Sequence, residues 1–79
     1  GEEFLIVLRQ PGDLACRTGE RLLTGWRATK PLVTFSIGIA LHGDQIPARI
    51  TLHEADQALY TAKASGRDRC SIAPSLARL

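Results

Sequence analysis

The chain has 79 residues, 44% of them hydrophobic and 23% charged, a globular composition that fits one small domain or part of a larger one and excludes disordered, collagenous and repeat architectures. Ten Lys and Arg against eight Asp and Glu leave a net charge of +2, short of the basic stripe that marks a nucleic-acid binder. The longest apolar run, Phe4 to Leu8, falls far below the roughly 18 residues of a membrane span, and Cys16 and Cys70 show no metal-ligand or CxxC spacing, so the expectation is a cytoplasmic protein with reduced thiols, no signal peptide, and no nucleic-acid or membrane contact.

The first predicted element is a buried strand from Glu3 to Leu8, closed by the turn residues Gln10, Pro11 and Gly12. Asp13 is placed to cap a helix over about 13 to 29, in which Ala15, Gly19, Leu22, Leu23 and Trp26 recur on one face. Gly19 and Gly25 each cost that helix about 1 kcal/mol relative to Ala, so it depends on packing. Pro31 ends it. From Leu32 to Leu41 the residues are rich in β-branching, and Val33, Phe35, Ile37 and Ile39 alternate, which predicts the most secure strand. Thr34, Ser36 and Gly38 share its other face, where small side chains admit a close neighbour.

His42 to Arg49 reads as a polar loop. Thr51 and Glu54 have the spacing of a capping box, with Ile50 and Ala55 as a hydrophobic staple, which predicts the start of a second helix. Leu52, Ala55, Leu59 and Ala62 form its apolar stripe, and Gly66 can end it in the left-handed conformation. Arg69 to Ala73 is a last short strand before Pro74, and Ser75 to Leu79 a flexible tail. The order is β-α-β-α-β, an α+β arrangement with a core so small that the margin for a free-standing fold is thin. The chain contains no Met and opens on Gly1-Glu2-Glu3-Phe4, which reads as a piece cut from a larger domain.

Two groups of residues could carry chemistry, each beside a plainer structural reading. Glu2 and Glu3 precede a strand, and a carboxylate there, beside Gly1, can hold a divalent cation that also meets substrate phosphates; the same acids serve equally as solvated charges at a strand end. Lys63 and Arg67 lie one helical turn apart with Gly66 between them, so two cations can converge on a phosphate chain. Alternatively they complement the helix macrodipole. Asp56 is placed to answer Arg67, Arg69 or a backbone donor. Trp26 and Tyr60 read as core, and His42 and His53 are isolated from other ligand types.

In order, these residues resemble a known family. Gly1-Glu2-Glu3-Phe4 resembles the signature of the GGDEF domain, the diguanylate cyclases, lacking its first glycine. Val33-Thr-Phe-Ser-Ile-Gly-Ile-Ala40 is similar to the family's Val-Thr-x-Ser-x-Gly-x-Ala strand. Ala55-Asp-Gln-Ala-Leu-Tyr-Thr-Ala-Lys-Ala-Ser-Gly-Arg-Asp-Arg69 is similar to its Ala-Asp-x-Ala-Leu-Tyr-x-Ala-Lys-x-x-Gly-Arg-Asn/Asp-Arg helix. The resemblance implies a two-layer α/β sandwich, part of a ferredoxin-like nucleotide-cyclase palm that condenses two GTP into cyclic di-GMP and pyrophosphate, with two such domains facing each other.

By the same resemblance Glu2 binds Mg²⁺ or Mn²⁺ and helps activate the 3′-hydroxyl, Glu3 assists, Gly1 brings the backbone close to the nucleotide, and Lys63 and Arg67 hold phosphates. Residues 1–74 then form the C-terminal half of a domain roughly twice this length. The other half carries a further metal-binding Asp, the guanine-reading residues and the product-inhibition motif. Alone, the fragment is expected to be inactive and to need that half, or a swapped copy, to cover its strand edges. The alternative is a piece of a degenerate GGDEF domain that acts as a GTP-binding or protein-interaction regulator.

Overall fold

The computed structural model describes residues 12–73. The strand expected at Glu3 to Leu8, the signature residues Gly1, Glu2 and Glu3, and the tail from Ser75 lie outside these described residues. Within them the order is helix α1 (Gly12–Ala28), strand β1 (Ile37–Ile39), helix α2 (Ala48–Ala64) and strand β2 (Cys70–Ile72). This is a small α+β unit with two helices and a short parallel two-stranded sheet.

Helix α1 starts one residue earlier than expected, which puts Asp13 inside its first turn. There its carboxylate faces the positive end of the macrodipole instead of standing before the helix as a cap. Leu23 carries most of the apolar payload of this helix and is fully buried, whereas Leu22 beside it stays half exposed. Turn bonds from the Thr29 and Lys30 amides to the carbonyls of Trp26 and Arg27 close the helix ahead of Pro31.

The strand expected over 32–41 is regular only at Ile37–Ile39. Alternation marks which residues can be extended, but a strand ends where its partner ends. Its partner among the described residues is β2, parallel and in register Ile37 to Cys70, Gly38 to Ser71 and Ile39 to Ile72. Flanking bonds from the Ile37 amide to the Arg69 carbonyl, 2.9 Å, and from the Ala73 amide to the Ile39 carbonyl, 2.7 Å, complete the ladder. Leu32 and Val33 stand exposed outside it.

Helix α2 begins at Ala48, with Pro47 in the capping position and no side-chain cap. The expected capping box is therefore corrected. Proline fixes its own φ near −65°, and the observed −60° lets the Pro47 carbonyl accept from the Ile50 and Thr51 amides. Thr51, already inside the helix, makes a 2.7 Å bond to His42 Nδ1 and so ties the preceding loop to the first turn. The buried face of α2 centres on Ala58 and Ala62, while Leu52 is half exposed.

The connection β1-α2-β2 is a crossover between parallel strands, for which a helix is the usual bridge. A side chain on Gly38 would run into the backbone of α2 at Ala55 and Leu59, so α2 lies against that face of β1. Gly19 of α1 instead lies against the side chains of Ile39 and Cys70. Successive residues of a strand point to opposite faces, so α1 and α2 cover opposite sides of the strand pair. The described residues thus form helix, sheet and helix layers, in place of the two layers expected.

Candidate functional site

The end of α2 concentrates the features that could bind a ligand. Its last turn contains Lys63, followed by Ser65 at the cap and then by Gly66 at φ +125°, as expected for a left-handed terminator. The Arg67 amide donates to the Ala62 carbonyl at 2.9 Å and the Gly66 amide to the Lys63 carbonyl at 3.4 Å. This pair of bonds is the Schellman arrangement, which satisfies carbonyls that a helix end leaves without partners.

Two more residues in the left-handed region follow, Arg67 at φ 61° and Asp68 at φ 50°. For residues with a Cβ this conformation costs roughly 1–2 kcal/mol each, although Asp tolerates it better than most. The turn is held from three sides. Arg27, in the last turn of α1, donates from Nε to Asp68 Oδ1 at 3.0 Å and from an Nη to the Asp68 carbonyl at 2.6 Å. The Asp68 amide donates to Ser36 Oγ at 3.1 Å. Arg69 Nε donates to the Arg67 carbonyl at 3.0 Å.

Arg67 is exposed and Lys63 partly buried, and both belong to the same end of one helix. The partial negative charge of the terminal carbonyls favours cations there, and a guanidinium fork beside a compact ammonium suits a chain of phosphates. Of the residues expected at a site, the structure brings Lys63 and Arg67 to this helix end; Gly1, Glu2 and Glu3 lie outside the described residues. Asp56 is exposed on the body of α2, and among the described residues the carboxylate paired with an arginine is Asp68, with Arg27. Sequence reasoning missed that pair because its members stand 41 positions apart. The one available signal was an Asp directly after Gly-Arg, a residue suited to a left-handed turn.

The aromatic residues divide. Tyr60, read as core, is largely exposed. Trp26 is half-buried, meets the Phe35 ring edge-on at a centroid distance of 5.4 Å and donates from Nε1 to the Val33 carbonyl at 3.0 Å. Cys16 and Cys70 are free thiols. Partial burial, reinforced by the nearby Glu20 carboxylate, pushes the Cys70 thiol up to about 11, which keeps it protonated and poorly nucleophilic near neutrality.

Comparison with known proteins decides the family. The model of the diguanylate cyclase GGDEF domain matches residues 1–69. The chain belongs to the GGDEF family. It is 41% identical over 80 residues to the uncharacterized protein YtrP of Bacillus subtilis (strain 168), covering 96% of this chain and 14% of YtrP. It is 32% identical over 78 residues to the diguanylate cyclase DgcZ of Escherichia coli (strain K12), covering 89% of this chain and 26% of DgcZ. The chain thus spans about a seventh and a quarter of these relatives. No solved structure matches it significantly.

Diguanylate cyclases of the GGDEF family generally use divalent metal ions. Among the described residues no three His, Cys, Asp or Glu side chains converge as a metal site. No helix among the described residues is long and apolar enough to cross a membrane.

Proposed function

We propose that this chain is the part of a diguanylate cyclase domain that grips the triphosphate of GTP through Lys63 and Arg67, with Gly1, Glu2 and Glu3 as its signature residues. The observation that carries the reading is the end of α2. A turn of three residues at positive φ carries Arg67 directly after the helix whose last turn contains Lys63. A strained and multiply tied loop is the kind of element that holds a binding group in place.

The overall reaction joins two GTP molecules. The 3′-oxygen of one attacks the α-phosphorus of the other, the bond to the β-phosphate oxygen breaks, and pyrophosphate leaves; a second such event closes cyclic di-GMP. Negative charge gathers on the departing pyrophosphate, and fixed cations aimed at it lower the barrier more than they strengthen ground-state binding. Lys63 and Arg67 supply those cations. Glu2 is the ligand this chain contributes to Mg²⁺ or Mn²⁺, Glu3 stands beside it, and Gly1 lets the backbone approach the nucleotide. The metal supplies charge neutralisation and activation of the attacking hydroxyl when bound.

Two domains face each other so that each presents one GTP. On this reading the remaining metal ligand and the guanine-reading groups are supplied by another part of the domain. The test is full-length protein with GTP and Mg²⁺, assayed for cyclic di-GMP by mass spectrometry. Arg67→Ala should lower kcat/KM by about tenfold or more, and Glu2→Ala should abolish product. Retained GTP binding with no product from the unaltered protein would make it a degenerate GTP-binding regulator instead.

A further inference from the structure

Arg27 belongs to a different helix from the clamp, yet it makes two of the bonds that fix the residue next to Arg67. Its guanidinium takes both the side chain and the carbonyl of Asp68. The Asp68 amide is taken by Ser36 Oγ, so every hydrogen-bonding group of Asp68's backbone is engaged from another element. On the other side of Arg67, Gly66 and Arg67 itself are bonded to α2 through the Lys63 and Ala62 carbonyls. Arg67 therefore sits between two anchored points, one on α2 and one on α1 and the start of β1, with its own φ at 61°.

We infer that Arg27, acting through Asp68 and supported by Ser36, is a positioning residue for phosphate binding by Arg67. This inference rests on the reading of Lys63 and Arg67 as the triphosphate clamp. The Arg27 to Asp68 pair is half-exposed, and such pairs add little to global stability. Its effect is geometric. One guanidinium donates to both the carboxylate and the carbonyl of Asp68, which fixes the residue after Arg67 in direction as well as position, while Ser36 holds the amide of the peptide between them. Without these bonds the turn can relax out of its left-handed conformation, and the Arg67 guanidinium then samples a wider arc. A fixed group loses less freedom when ligand arrives, so binding weakens when the fixing bonds are removed.

The experiment is a double-mutant cycle on the full-length protein, read as the Kd for inorganic pyrophosphate by calorimetry, with melting temperatures recorded for each variant. Arg67→Ala should weaken binding about tenfold and Arg27→Gln about fivefold. In the Arg67→Ala background, Arg27→Gln should change Kd less than about twofold, because a positioning residue has nothing left to position. A purely structural role would lower the melting temperature and leave Kd alone, which overturns the inference. Additive losses would also overturn it, since Arg27 would then contact phosphate itself. Unchanged binding in Arg67→Ala would instead remove the clamp reading on which this one stands. Where Arg27→Gln fails to fold, Ser36→Ala tests the same turn. It should weaken pyrophosphate binding about twofold in wild-type background only, and an unchanged Kd overturns the inference.

Discussion

The two helices reach the strand pair by different means. At Gly38, α2 comes so close that an added Cβ would overlap the Ala55 carbonyl oxygen and the Leu59 amide nitrogen, atoms that cannot move without moving the helix. At Gly19, α1 would present a Cβ to Ile39 Cδ1 at 3.0 Å and Cys70 Sγ at 3.1 Å, the outer atoms of side chains. One contact is backbone on backbone and the other is side chain on backbone. Helix α2, which carries Lys63 and leads into Arg67, is thereby seated on the strands through backbone, while α1 meets them through side chains. The bonds from Arg27 to Asp68 then join α1 to the turn that follows α2.

Substitution of three glycines by alanine breaks or sharpens this contrast. Gly38→Ala should have the largest effect, a loss of about 3 kcal/mol or more, or failure to fold, because overpacking against backbone has no cheap relaxation. Denaturant unfolding of the full-length protein measures it, and a loss below about 1 kcal/mol would mean that α2 is free to slide on β1. Gly19→Ala should cost much less, about 1 kcal/mol at most, as helix propensity gained by Ala offsets part of the crowding at Ile39 and Cys70. A cost equal to that of Gly38→Ala would erase the difference between the two faces. Gly25, on the same helix, has nothing within 4 Å of the position a Cβ would take. Gly25→Ala should raise stability by about 0.5–1 kcal/mol through helix propensity alone, visible as a higher melting temperature.

Those three positions also show how far the sequence could be read. Gly38 was legible, because its neighbours Thr34 and Ser36 are also small and mark a face prepared for close approach. Gly19 and Gly25 carry the same propensity cost, but helical spacing puts only Gly19 on the apolar face, and the packing there against Ile39 and Cys70 agrees. The end of α2 was foreseen from Gly66, but its start was not. A capping box and a proline compete for the same few residues, and Pro47 wins because its fixed φ begins the helix three residues before Thr51.

Strand lengths were overestimated because alternation describes a strand's faces and not the reach of its partner. At the site, Lys63 and Arg67 could be named from residues one turn apart. Arg27 could not, since nothing local in the sequence joins a basic residue near the end of one helix to an Asp after the next.

The chain has a single tryptophan, and it stands immediately before Arg27. Trp26 is held by its bond to the Val33 carbonyl and by the edge of Phe35, so its indole is a native fluorophore mounted at the junction where α1 meets the segment leading to β1. Its emission colour and lifetime follow the polarity and mobility of that junction without any introduced label. A phosphate-bearing ligand that tightens the turn around Arg67 would pull on Arg27 and thereby alter the light from the residue beside it.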